Sequence, residues 1–248
     1  MQETLTAHPS VQVHRAEDRF HSRIGWLDSR HSFSFSNHYD PANTHHGLLL
    51  VNNDDIVAPN SGFQTHPHRD MEIVTWVLEG ELEHKDSEGN KGLLFPGLAQ
   101  RMSAGTGIWH SEMNPLGDKP VHFIQMWVPP DTERLNPGYE QLDINGELNK
   151  GGLVPIASGR GHHTAISIRQ KGAALWGGRL KAGDAVQLPD ARYVHIFVAK
   201  GSAELEGAGA LNTGDAVRLT AAGARGLTAG MPDGAEILVW ETDTEGYL

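Results

Sequence analysis

Two short runs hold the residues best suited to chemistry. Gln64-Thr65-His66-Pro67-His68 places two imidazoles at i and i+2, and Trp109-His110-Ser111-Glu112 places a third imidazole and a carboxylate at the same spacing. On an extended strand such pairs point to one face. If the two strands oppose each other, His66, His68, His110 and Glu112 converge on one point. Neutral imidazole together with carboxylate suits a divalent first-row transition ion, and Mn, Fe, Co, Ni, Cu and Zn all accept such a set. Three imidazoles and one carboxylate leave two positions of an octahedral ion open, and an open position lets an ion activate a substrate or dioxygen. The His-x-His pair is weak evidence by itself. With 15 His in 248 residues, random placement produces about one such pair. Its surroundings give it weight: Gly62 and Pro67 flank it, Glu72 follows, and an apolar run leads to Gly80 before Pro96-Gly97, Gly105-Thr106-Gly107 and His110.

The elements that must position these side chains read as strands. Ile73 to Leu78 is an apolar run ending at Glu79-Gly80, Leu82 to Lys85 follows, and Asp86 to Asn90 is a polar, Gly-containing hairpin turn. Gly47 to Val51 is another short apolar run. Val121 to Val128 is apolar and aromatic, and Pro129-Pro130 ends it because proline cannot donate to a ladder. No segment before Pro130 sustains a helical period. Pro- and Gly-rich sequence from Pro129 to Gly152 reads as a linker, placed at 134–152, with room for a short helical turn. Beyond it the strand pattern resumes at Thr164 to Arg169, Tyr193 to Ala199 and Glu236 to Trp240. The layouts Val74 to Glu83 and Val194 to Leu205 share one grammar: an apolar strand, a Gly turn, an alternating strand. The expectation is an all-β chain of two tandem barrels, over 1–133 and 153–248, with the ligands in the first.

Composition narrows the function classes. There is no Cys, which excludes disulfides, thiolate ligands and a cysteine nucleophile. A net charge of -11, with Lys and Arg scattered, argues against direct nucleic-acid binding. Met1 to Ser10 shows no signal-peptide pattern and no run approaches a membrane span, so a cytoplasmic location is expected. His31, His38, His45, His46 and His122 read as surface, capping or supporting groups. His162-His163 point to opposite faces of a strand and make a poor chelate. His195, in an apolar strand, reads as a satisfied core histidine, and Glu79 to His84 as a solvated hairpin face. Met71, Trp76, Trp109, Phe123, Met126 and Trp127 are candidates to line a pocket for a flat aromatic ligand.

The pattern His66-x-His68-x-x-x-Glu72, then Gly80, Pro96-Gly97 and His110-x-x-x-Asn114, resembles the paired motifs of the cupin superfamily. The finer resemblance is to the pirin family, including its bacterial quercetinase-like members. It rests on Thr65 to Thr75, Gln100 to Gly107, Trp26 to Phe35, His110-Ser111-Glu112 and Pro120 to Phe123, covers about 14–141 closely, and is looser over 150–248. It implies two jelly-roll-type cupin barrels, a bicupin; the remaining histidines of the sequence show no second metal site, so the C-terminal barrel is expected to lack one. The resemblance also implies that the carboxylate ligand is Glu112, two residues after the third His, rather than Glu72, which then supports the site. Fe(II) is the ion it favours. The implied activity is that of a quercetin 2,3-dioxygenase. The flavonol 3-hydroxyl would bind the metal as an oxyanion, Glu112 would take its proton, and dioxygen would open the ring with loss of carbon monoxide. The alternatives are a metal-dependent regulatory protein that binds a protein partner without turnover, and a metal that only braces the barrel. Pirin-like chains are expected to be monomers.

Overall fold

The computed structural model describes residues 8–245. Residues 1–7 and 246–248, which include most of the segment read as lacking a signal peptide and the outer ends assigned to the two barrels, lie outside the described residues. In chain order the first strands are β1 (Ser10–His14), β2 (Phe20–Ile24), β3 (Leu27–His31), β4 (Val51–Val57), β5 (Gly62–His68), β6 (Glu72–Glu79), β7 (Leu82–Asp86), β8 (Lys91–Leu94), β9 (Leu98–Ser103), β10 (Ile108–Met113), β11 (Val121–Val128) and β12 (Gly138–Asp143). A one-turn helix, α1 (Asn145–Leu148), follows. Then come β13 (Val154–Ser158), β14 (Ile166–Ser167), β15 (Ala173–Leu180), β16 (Ala185–Gln187), β17 (Tyr193–Leu205), β18 (Gly209–Asn212), β19 (Ala216–Thr220), β20 (Gly226–Ala229) and β21 (Ala235–Thr242).

The first barrel closes a seven-stranded sheet, β12-β9-β6-β11-β4-β3-β2, against a four-stranded sheet, β5-β10-β7-β8. The second is built around β1-β19-β17-β21-β15-β13-β14, with β16, β18 and β20 branching from it. The chain is thus all-β in two barrels. No helix among the described residues is long and apolar enough to cross a membrane.

Three expectations need correction. Gly47 to Val51 is a strand only at its end, where Val51 opens β4: Leu48 and Leu49 are buried, but before Leu50, whose amide donates to the Trp127 carbonyl at 3.0 Å, the backbone makes an isolated bridge between His46 and Leu49. Thr164 to Arg169 holds only the two-residue β14. The segment 134–152, read as a linker, contains β12, which pairs with β9 from Gly138↔Ser103 to Asp143↔Leu98. Its Pro and Gly content concealed a polar edge strand, a place where such residues are tolerated. Conversely β1, at the start of the chain, pairs with β19 of the second barrel.

Period-two alternation explains β6 and β11, the apolar runs that carry the core. On β6, Val74, Trp76 and Leu78 face the second barrel, and Ile73, Thr75 and Val77 face the interior of the first. On β11, Ile124, Met126 and Val128 face the second barrel, and Phe123 and Gln125 face inward. Both faces of these strands are buried, so the run reads as continuously apolar. Trp76 and Trp240, each 1% exposed, fill the seam between the barrels. The indole N–H of Trp76 donates to Glu236 at 2.9 Å.

The shared grammar of the two halves becomes visible at Gly80 and Gly201. Both adopt positive φ, +78° and +75°, and a Cβ there would meet a backbone carbonyl at 2.7 Å and 2.1 Å. In the first barrel the chain breaks at this turn into β6 and β7. In the second it continues as β17, with a bulge between Val198 and Lys200.

Candidate metal centre

β5 and β10 pair antiparallel with His66 opposite His110 and His68 opposite Ile108. The alternation of each strand then puts His66, His68 and His110 on the inner face of the four-stranded sheet. Their ring centroids are 4.4, 4.9 and 4.9 Å apart, and one nitrogen of each lies within 4.8 Å of the others. The Nε2 atoms of His68 and His110 are buried and have no hydrogen-bond partner among the described residues. His66 Nδ1 donates to the carbonyl of Gln64 at 2.7 Å, which leaves Nε2 with its lone pair. Burial first, then the neighbouring imidazoles, holds His68 down at about 4 and His110 at about 3. Both rings are therefore neutral at ordinary pH, which is the form that ligates a metal. Two orphaned buried nitrogens and a third held in the matching tautomer fit a transition ion.

Glu112 follows His110 on β10 and is 2% exposed. Its carboxylate does not join the 4.8 Å imidazole group. Its Oε2 accepts from Gln125 Nε2 at 2.7 Å and its Oε1 from Thr75 Oγ1 at 3.4 Å. These partners belong to one rung of the opposing seven-stranded sheet. Gln100, Thr75, Gln125, Asn53 and His31 are consecutive register partners across β9, β6, β11, β4 and β3. A polar rung therefore crosses the interior at the level of the site, and in the next rung buried Ser29 and Asp55, hydrogen-bonded to each other, stand in register with Phe123 and Val77. Glu72 is elsewhere: its Oε2 accepts from Ser103 Oγ at 2.8 Å and from the Arg169 amide at 3.0 Å.

The structure adds two residues that the sequence reading left out. β7 pairs with β10 on the side away from β5, with His84 opposite Glu112 and Asp86 opposite His110. The reading of Glu79 to His84 as a solvated face is corrected: Glu79 is exposed, but Leu82 is buried and His84 is 1% exposed and points at the site. His84 Nδ1 lies 3.4 Å from His110 Nδ1, and His84 Nε2 lies 3.1 Å from Asp86 Oδ2. Burial pushes the Asp86 carboxyl up, but hydrogen bonds from Asn90 and His84 outweigh it and hold it below the ordinary range. Asp86 is therefore an acceptor. His84 donates to it through Nε2, accepts at Nδ1 from His110, and so leaves His110 Nε2 free to ligate. The available signal was the spacing itself, because His84-x-Asp86 repeats the i, i+2 pattern of the ligand runs.

Other candidates separate in the same way. Trp127 packs its ring 4.9 Å from His68, and Phe35 meets Trp127 edge-on at 5.5 Å. Phe63 stands 6.3 Å from His66 with Trp26 against it, in an open cleft of about 450 Å³. Trp76 and Met126 face the second barrel, Phe123 lies in the barrel floor, and Met71 packs with Ile73, Met102 and Ile108 on the other side of the polar rung from Phe123. Trp109 is 53% exposed. Among the remaining histidines, His31 and His46 are buried rather than superficial. His31 bonds Asn53 at 2.9 Å, and His46 donates to the Leu219 carbonyl at 3.0 Å across the seam. His195 is buried as expected, but its Nε2 has no partner among the described residues.

Comparison with known proteins gives this arrangement a family. The Pirin family model matches residues 12–128, and a model described as the quercetinase C-terminal cupin domain matches 155–241. A Mycobacterium tuberculosis protein, provisionally named quercetin 2,3-dioxygenase, is 58% identical over 94% of this chain and 95% of its own length. This chain belongs to the pirin family. The quercetin 2,3-dioxygenase of Escherichia coli K12 is 40% identical over 79% of this chain and 84% of its own. Among solved structures, the bacterial pirin YhhW of Escherichia coli in complex with nickel(II) superposes with a TM-score of 0.86 at 34% identity, covering 95% of this chain and all of that one. Membership accounts for the two cupin domains and for a metal-binding character.

Proposed function

We propose that this pirin is a metal-dependent dioxygenase of the quercetin 2,3-dioxygenase type, opening a flavonol-like ring with O2. The observation that carries the reading is the trio of converging imidazoles beside a buried carboxylate, with His68 and His110 neutral and their Nε2 atoms orphaned. The names of the Mycobacterium and Escherichia coli relatives support the substrate class. In this reading His66, His68, His110 and Glu112 hold one divalent ion, Fe(II) by preference. When bound, the ion supplies Lewis acidity toward the substrate hydroxyl and an open coordination position.

The chain's own groups do the rest. Glu112 accepts the proton of the flavonol 3-hydroxyl. Gln125 and Thr75 fix its orientation, and Trp127, which donates to Gln125 Oε1 at 3.2 Å, braces Gln125. Trp127, with Phe35 packed edge-on against it, offers an apolar wall that positions an aromatic ring and keeps water from it. The test is loading purified protein with Fe(II), Mn(II), Co(II), Ni(II) or Cu(II) and following quercetin loss with O2 uptake. Turnover is expected with at least one ion, and Glu112→Gln should lower it by about 10²–10⁴-fold if Glu112 is the base. Failure to consume quercetin with every ion sinks the substrate class.

A further inference from the structure

A second cleft, of about 260 Å³, opens where β1 and β19 of the second barrel meet β3 and the following loop of the first. Arg218, on β19, is 6% exposed and lines it. Its guanidinium lies 4.2 Å over the Phe33 ring, and Nη2 donates to the Ser32 carbonyl at 2.7 Å. Its Nε has no partner, and no carboxylate reaches it within ion-pair distance among the described residues. The other two arginines of the cleft are paired, Arg15 with Asp215 at 2.8 Å and Arg19 with Asp54 at 2.9 Å. Arg19 is also buried, and its Nε and Nη1 have no partners. An arginine this deeply buried is ordinarily paired with an anion, because desolvating the charge is costly.

Two histidines close to Arg218, His14 and His195, add no charge of their own. Burial, then Arg218, holds His14 at about 4 and His195 well below its ordinary range, so both are neutral. The acids lining the cleft, Asp18 and Asp40, are exposed, and Asp40 Oδ1 accepts from the Ala42 amide. One unpaired guanidinium with two carboxylates nearby matches a monoanion and disfavours a dianion. The planar fork of arginine matches the two oxygens of a carboxylate. Beside it, Phe20 and His38 stack at 4.0 Å and offer a flat face. The volume lies below the range typical for drug-sized ligands.

We infer that this cleft binds a small aromatic monocarboxylate, with its carboxylate seated against Arg218. The inference does not depend on the activity of the metal centre. The test uses the full chain loaded with diamagnetic Zn(II) and titrated with benzoate, acetate and inorganic phosphate, by calorimetry and by amide and arginine Nε–H NMR. Benzoate should saturate at one per chain, move the resonances of Ser32, Asn43, Ala216 and Arg218, and bind more tightly than phosphate. Arg218→Lys should weaken it by roughly tenfold or more, and Asp40→Asn should not weaken it. Should the variant fail to fold, the wild-type titration decides alone. The inference is overturned by the absence of saturation at millimolar benzoate, by phosphate binding as tightly, or by shifts confined to β5 and β10, which would place the anion at the metal centre.

Discussion

Replacing His84 with Leu isolates the imidazole chain behind the candidate metal centre. The substitution removes the 3.4 Å contact with His110 Nδ1 and the 3.1 Å contact with Asp86 Oδ2, both in the interior. His110 then loses the acceptor that keeps its proton on Nδ1, and its ring is free to turn. Partners of this kind are worth about 10–100-fold in metal affinity, or about 1.4–2.7 kcal/mol. Asp86 keeps Asn90 and the Glu88 amide as donors, so its hairpin should survive. The assay is competition between the protein and a chelator for Co(II), whose visible spectrum also reports ligand geometry. The apo melting temperature is measured in parallel, so that a folding defect is recognised as such. A His84→Leu protein that folds normally and binds Co(II) with wild-type affinity and spectrum would refute the argument that His84 sets the donor state of His110.

Acid should weaken the apo fold through the seam as well as through the site. Burial holds His46 at about 4 and His195 well below its ordinary range, so the unfolded chain takes up protons near 6.5 while the folded chain does not. Stability is then full above about pH 6.5 and declines as pH falls toward 4; an unchanged urea midpoint between pH 7 and pH 5 would contradict this. Trp240→Ala empties a position that is 1% exposed between the barrels and should cost about 3–5 kcal/mol, measured by chemical denaturation. A loss below about 1 kcal/mol would mean that the seam collapses around the gap.

Much of the candidate site was legible because strand geometry is local. Once β5 and β10 are strands, the i, i+2 spacing alone puts His66 with His68, and His110 with Glu112, on common faces. The strand boundaries of β11 and the hairpin between β7 and β8 follow from Pro129 and from the Asp86 to Asn90 turn for the same reason. β12 was hidden because an edge strand needs no apolar run of its own, only a neighbour, β9, to complete its ladder.

The choice of His66, His68 and His110 as candidate donors and the all-β character were thus legible in residue type and in the two-residue period of a strand. Tertiary structure alone decided which strands lie side by side. Pairing of β10 with β7 turned His84 and Asp86 from apparent surface residues into the support of His110. Closure of the barrel brought the Thr75 and Gln125 rung against Glu112, and the seam buried Arg218 without a carboxylate partner among the described residues. Alternation fixes the side of a strand a residue occupies, whereas the neighbour it meets there depends on contacts between segments far apart in the chain.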